Sequence, residues 1–306
     1  MITVSGLTKK YGKRLAVHDM SFAVAAGRVT GFVGPNGAGK STTMRMMVGL
    51  TRPDSGTVTY DGTHYTDLRH PARVVGSVLD ARCMHPGRTA RQHLRATAAL
   101  SAIPARRVDE VLADVGLETA ADQRAGGFSL GMKQRLALAG ALLGDPQVLL
   151  LDEPSNGLDP DGIRWLRTYL SDFADKGGSV FISSHLIGEL SMFADDLVVV
   201  GGGRLIAAES VASINSRSDV TVVVETPTPV DLIQLLADHA LDAERVNDRL
   251  YLRGTTRDAV SQIAFDGRIR LLEISETARS LEDSLLDMTN ASAEFASAST
   301  TTPRTI

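Results

Sequence analysis

The segment GPNGAGKS at residues 34–41 fits G-x-x-x-x-G-K-[ST] and constrains this chain more than any other stretch. Its glycines let the backbone curl, so that successive N–H groups converge on phosphate oxygens. Such a loop needs a strand before it and a helix after it. VTGFV at 29–33 is a short apolar run of strand character, and STTMRMMVGL at 41–50 has helical spacing. The helix adds its own unpaired N–H groups and positive end. Gly34, Pro35, Asn36, Gly37, Ala38, Gly39, Lys40, Ser41 and Thr42 are therefore candidate phosphate-binding residues. Lys40 supplies a mobile positive charge for the β- and γ-phosphates, and Ser41 a hydroxyl for Mg²⁺. The alternative is a Gly-rich turn with no ligand. At ordinary Gly usage a chance match arises in roughly one chain in a hundred of this length, and the flanking elements favour nucleoside triphosphate binding.

VLLLDEP at 148–154 is an apolar strand ending in two acids. Carboxylates there stand at the carboxyl edge of a sheet, where ligands bind in open α/β folds. Asp152 can hold Mg²⁺, directly or through water, and Glu153 can polarise a water for in-line attack on the γ-phosphate. Alone, the pair could equally cap the next turn. His185 ends a further strand, SVFISSH. A lone His at a strand end is commonly structural, but this one falls on the same predicted sheet edge as Asp152. An imidazole donor there could hold the γ-phosphate and orient the attacking water.

The remaining sequence sets outer bounds. With 306 residues, the chain is long enough for a sizeable core and two domains. Its net charge of −4 provides no basic footprint for nucleic acid. Cys83, its one cysteine, cannot form an internal disulfide, which fits a reducing compartment, and reads as an inert loop residue. The first residues carry no apolar signal core, and no stretch approaches the roughly 20 apolar residues that span a bilayer. The expectation is a soluble chain that needs another subunit to span a membrane.

ITVSGLT, LAVHDMSFAV and TVTYDG read as strands, and two segments between 85 and 125 read as helices. QRLALAGALL and IRWLRTYLSDFADKG read as helices on either side of VLLLDEP. Alternating strands and helices imply a largely parallel sheet covered on both faces. Beyond about residue 215 the texture becomes strand (DVTVVVE), helix (VDLIQLLADHA), strand (DRLYLRG), helix (RDAVSQIAF), strand (RIRLLEI), and then a closing helix SLEDSLLDM. Residues 216–290 are thus a small α+β domain without a chemical motif. Residues 291–306 are small and polar and read as disordered.

Over residues 2–215 the chain resembles the nucleotide-binding subunit of an ATP-binding-cassette (ABC) transporter, with the motifs above in the family's order and spacing. In that resemblance Tyr11 of KKYGK stacks on adenine. FSLGMKQR at 128–135 is similar to the family's LSGGQ segment. Ser129 and Gly131 match and would contact ATP held by a partner subunit, while Leu130 replaces a Gly and Met132 a Gln. As local sequence, it is a helix start capped by Ser129. SNGLD at 155–159 resembles the family's loop across the dimer interface: Ser155, Asn156, Gly157, Leu158 and Asp159. An Asn-Gly turn before a helix at Pro160 accounts for it equally well. Asp80 stands where the family places a Gln that touches Mg²⁺ and the attacking water. A carboxylate can bind Mg²⁺ there but cannot donate a hydrogen bond when ionised; an exposed loop acid is the alternative.

The implied fold is α/β, a P-loop NTPase of ABC ATPase type. It would have a mixed-sheet core at 1–215 with a helical subdomain near 85–140, and a small C-terminal α+β domain. The implied activity is Mg²⁺-dependent ATP hydrolysis that powers export by a separate membrane permease. A homodimer of these subunits would work at the cytoplasmic side of the plasma membrane, without nucleic acid. The subclass resembled is that of bacterial drug and antibiotic efflux ATP-binding proteins. A soluble ABC ATPase acting on ribosomes or DNA is the main alternative, but such proteins usually carry two cassettes or long coiled coils, and this chain has neither. A non-hydrolysing regulatory module is a further alternative, against which Glu153 and His185 argue.

Overall fold

The computed structural model describes residues 1–80, 84–216, 220–247 and 249–278. Cys83, the segment SLEDSLLDM and the polar tail lie outside the described residues. The chain divides after Val211 into two compact units, and a short helix, α8 (Val211–Ser216), begins at that residue.

The first unit holds two sheets. One is antiparallel, with β1 (Ile2–Tyr11) between β2 (Arg14–Val24) and β4 (Ser55–Tyr60), and β5 (Thr63–His64) at its edge. The other runs in the order β10-β9-β3-β8-β7-β6. It comprises β3 (Val29–Val33), β6 (Val75–Val78), β7 (Val148–Asp152), β8 (Ser179–Ser184), β9 (Asp196–Gly201) and β10 (Arg204–Ser210). All its pairs are parallel except β9–β10. Every residue of β3 and β8 is buried, the signature of parallel strands covered on both faces. The expected parallel sheet is present, but it takes in neither ITVSGLT nor LAVHDMSFAV. Those strands alternate in burial and pair in their own antiparallel sheet.

The two sheets meet over an aromatic cluster. Phe22 of β2 lies 5.8 Å from Phe32 of β3 and 5.4 Å from Phe181 of β8, and the last two stack at 4.9 Å. Such ring pairs contribute beyond area burial alone. Helices α1 (Lys40–Met47), α2 (Pro71–Val74), α6 (Pro160–Asp175) and α7 (Ile187–Ser191) join the strands. Three more, α3 (Ala90–Leu100), α4 (Arg106–Asp114) and α5 (Leu130–Leu142), pack on one another as a helical layer between β6 and β7 in sequence. Their starts are encoded locally. Thr89 and Gln92 form a reciprocal capping box at α3, and Ser129 caps α5 through the Met132 N–H at 3.2 Å.

The second unit is a βαββαβ arrangement. Its elements are β11 (Val220–Glu225), α9 (Pro229–Asp238), β12 (Ala243–Val246), β13 (Arg249–Leu252), α10 (Arg257–Asp266) and β14 (Glu273–Ala278). The sheet is antiparallel, in the order β12-β13-β11-β14, and Val222, Val224, Leu232, Leu236, Leu250 and Leu252 are core. β12 carries no strand signal in the sequence, because AERV is largely exposed and lacks apolar alternation. The last strand begins at Glu273, later than the expected RIRLLEI. Arg268 instead adopts φ 58° and turns the chain back after α10, with Ile269 N–H donating to Ala264 O at 2.8 Å.

Candidate nucleotide site

The loop at 34–41 sits between β3 and α1, as its sequence requires. Gly39 precedes the helix at φ 100°, and a Cβ there would lie 2.5 Å from Ala16 O. No side chain caps α1, so its first N–H groups stay available to an anion. Lys40 is buried; its ammonium donates to Gly34 O at 2.7 Å and lies 3.6 Å from Glu153 Oε1. With a second contact to Pro35 O at 3.4 Å, the two loop carbonyls hold the lysine over the loop. A cleft of about 480 Å³ opens here. It is lined by Asn36, Gly37, Gly39, Lys40, Ser41 and Thr42 of the loop and helix, by Tyr11, Arg14 and Ala16 of the first hairpin, and by Glu153, Asn156 and His185. Gly34 and Ala38 are buried, Pro35 is exposed, and none of the three lines the cleft.

The acids arrive from β7 and the histidine from β8. These neighbours are parallel and in register, with Asp152 opposite Ser183. Ser183 is fully buried; its Oγ donates to Asp152 Oδ1 at 2.6 Å and accepts from the Glu153 N–H at 2.9 Å. Glu153 adopts φ 49°, a left-handed conformation uncommon outside Gly. This turns its carboxylate back toward the cleft, where Oε2 lies 2.8 Å from His185 Nδ1. Among the described residues no group of three or more His, Cys, Asp or Glu gathers as a metal cluster. One hydroxyl and one carboxylate, Ser41 and Asp152, suit Mg²⁺, which keeps waters and takes phosphate oxygens as ligands.

Tyr11 and Arg14 face each other as the last pair of the β1–β2 hairpin, so both side chains leave the same face of the sheet. Tyr11 is half exposed and offers its ring to the cleft, with the Lys9 ammonium 5.6 Å from the ring centroid. Lys9 is held by Asp54 Oδ1 at 3.0 Å, and Lys10 N–H donates to Asp54 Oδ2 at 2.7 Å. The Lys9 hydrogen bond, then the Lys10 amide, hold the Asp54 carboxyl below its ordinary value.

Ser129 and Gly131 begin α5 and do not line this cleft. They adjoin the loop at 155–159 instead. Gln134 Nε2 donates to Asn156 O at 3.2 Å. Leu130 covers Gly157, whose φ is 79° and where a Cβ would meet the Leu130 Cδ2 at 1.9 Å. Leu158 lies beside Gly131, Ser155 O accepts from the Leu158 N–H at 3.1 Å, and Asp159 caps α6 through the Gly162 N–H at 2.8 Å. Asp80, exposed and two residues beyond β6, is not among the residues lining the cleft. Arg14 and Ser183 were not singled out from sequence. The cross-strand partner of Tyr11 over a two-residue turn, and the residue two before His185 on a strand, would have pointed to them.

Comparisons with known proteins identify the family. A family model described as ABC transporter matches residues 17–156, and one described as a domain of unknown function matches residues 220–282. An uncharacterized ABC transporter ATP-binding protein of Bacillus subtilis (strain 168), YhcH, is 33% identical over 96% of this chain and 97% of its own length. The bacitracin transport ATP-binding protein BcrA of Bacillus licheniformis is 33% identical over 92% of this chain and 95% of its own length. A solved structure described as the ATP binding subunit of an ABC transporter matches with a TM-score of 0.64 and 27% identity, over 71% of this chain and 92% of that one. With near full-length relatives on the sequence side, and the phosphate loop, Glu153 and His185 around one cleft with Asp152 just behind them on β7 on the structural side, the chain belongs to the ATP-binding subunits of ABC transporters.

Proposed function

We propose that this ATPase is Mg²⁺-dependent and works as a homodimer with two composite sites, energising a membrane permease that exports an antibiotic-type compound. The observation that carries the dimer is the separation within one chain: Lys40, Glu153 and His185 line the cleft, whereas Ser129 and Gly131 do not. Their capped helix start, with a hydroxyl and an N–H, is then free to meet ATP held by another copy. The likeness to a bacitracin transport protein extends over nearly the whole chain and supports the export reading. Among the described residues no helix is long and apolar enough to cross a membrane, which accords with attachment at the cytoplasmic face through the permease.

Each residue then has a task. The loop N–H groups and Lys40 bind the β- and γ-phosphates, and Tyr11 stacks on adenine. Ser41 and Asp152 would hold Mg²⁺, which neutralises phosphate charge when bound. Glu153 accepts a proton from the attacking water, and His185 orients the γ-phosphate and that water. Residues 155–159 cross to the partner. Asp80 would add a metal contact where the family has an amide.

Removing the base should trap the closed state. A Glu153→Gln chain is expected to become dimeric on addition of ATP, and a Glu153→Gln/Ser129→Arg chain to bind ATP yet stay monomeric, as read by analytical ultracentrifugation. A Glu153→Gln chain that binds ATP and remains monomeric would overturn the composite site. Co-purification with a multi-spanning membrane protein, and ATPase stimulation by an antibiotic, test the transport reading. Co-purification with ribosomes or DNA instead would replace it.

A further inference from the structure

Ser183 is a fully buried hydroxyl tied to both acids of the site. A hydroxyl has one proton to give and lone pairs to receive. Here the proton goes to Asp152 Oδ1 at 2.6 Å, and a lone pair takes the Glu153 N–H at 2.9 Å. The two contacts act on different groups. The first commits one oxygen of the Asp152 carboxylate and leaves Oδ2 for another ligand. The second pins the amide of Glu153 in its left-handed turn, which L-residues other than Gly adopt at a cost. That turn delivers the Glu153 carboxylate to His185 Nδ1 at 2.8 Å and toward Lys40 at 3.6 Å.

We propose that Ser183 is a positioning residue that sets the metal-binding carboxylate and the water-activating carboxylate together. Its hydroxyl holds Asp152 by Oδ1, which would leave Oδ2 for Mg²⁺, and holds the Glu153 backbone in the turn that carries its side chain into the cleft. The register explains why one residue can do both: β7 and β8 are parallel, and Ser183 is the Cα partner of Asp152. A hydroxyl that merely satisfied buried polar groups would influence stability alone. One that orients a metal ligand alters metal affinity, as partners of metal ligands generally do. The proposal rests on the assignment of Asp152 to Mg²⁺.

The test uses the full chain with Ser183→Ala and with Ser183→Cys, which keeps nearly the same volume but is a weak donor. Mn²⁺ binding is measured by EPR in the presence of a non-hydrolysable ATP analogue, and analogue binding is measured separately in EDTA. Both variants are expected to bind Mn²⁺ about tenfold more weakly, the usual loss for a missing partner of a metal ligand. Both should bind the metal-free analogue like the wild type. At saturating Mg²⁺ and ATP, kcat should fall while KM for ATP is retained. Wild-type Mn²⁺ affinity and kcat in both variants would overturn the proposal. So would an equal loss of metal-free analogue binding, which would mean general damage to the site. If the wild type itself, or Asp152→Ala against it, showed no Mn²⁺ dependence, the metal assignment would fail first, and the two failures remain distinguishable.

Discussion

His185 Nδ1 lies 2.8 Å from Glu153 Oε2, although the two residues end different strands. A carboxylate can only accept, so Nδ1 carries a proton. A neutral imidazole has a single N–H, and here Glu153 takes it. Contact with a γ-phosphate then requires a second proton on the ring or an exchange of partners as ATP enters. His185→Ala is expected to lower kcat by roughly 10²-fold, the low end for positioned acid–base groups. His185→Gln, whose amide has two donor hydrogens, should recover part of that loss. Steady-state ATPase at saturating ATP decides it; equal rates for all three chains would remove His185 from the chemistry.

Arg14 shares the cleft with Tyr11 and approaches Gly37 of the phosphate loop. Arg14→Ala should raise KM for ATP about fivefold with kcat retained, because an exposed charge contact contributes up to about 1 kcal/mol. Arg14→Lys should lie between the two. An unchanged KM would mean that the guanidinium points away from bound nucleotide.

Asp80 follows β6 on the surface. If it contributes to the metal, Asp80→Ala and Asp80→Gln will shift the Mg²⁺ dependence of ATPase activity. Retention of both apparent Mg²⁺ affinity and turnover in the two variants would assign Asp80 to the loop surface alone.

Phe181 is fully buried between Phe22 and Phe32. Phe181→Ala should destabilise the first unit by about 3–5 kcal/mol, the usual cost of emptying an aromatic core position. Thermal unfolding would read this directly. A loss under about 1 kcal/mol would show that the neighbouring rings close the cavity.

Asp54 titrates below its ordinary 3.8 because Lys9 and the Lys10 amide hold the carboxylate. Its folded value is therefore below its unfolded one. The stabilisation is present above the unfolded value and is lost as pH falls through the folded value. The difference in Tm between wild type and Asp54→Ala should shrink as pH drops below about 4. A difference constant from neutral pH to pH 3 would remove this ion pair as the cause.

Much of the site could be read directly from residues. GPNGAGKS required its strand and helix, and VLLLDEP and SVFISSH required strands ending in Asp152, Glu153 and His185, since these signals are local and periodic. Helix starts at Thr89, Ser129 and Asp159 were equally local. The exposed edge strand β12 was not legible, because AERV carries no apolar alternation. The separate antiparallel sheet was not legible either, because strand character says nothing of which strand is the partner.

Sequence by itself therefore determined which residues are candidates for phosphate, metal and proton, since each candidacy depends on side-chain chemistry and short-range backbone geometry. The tertiary structure decided which of them meet. Parallel register across β7 and β8 put Ser183 against Asp152 and His185 against Glu153, and the hairpin register put Arg14 beside Tyr11. It also seated Leu130 over Gly157, joining two loops that sequence could only treat separately. The physical reason is one of range: a hydrogen bond of 2.6 Å between residues 31 apart exists only once the strands carrying them lie side by side.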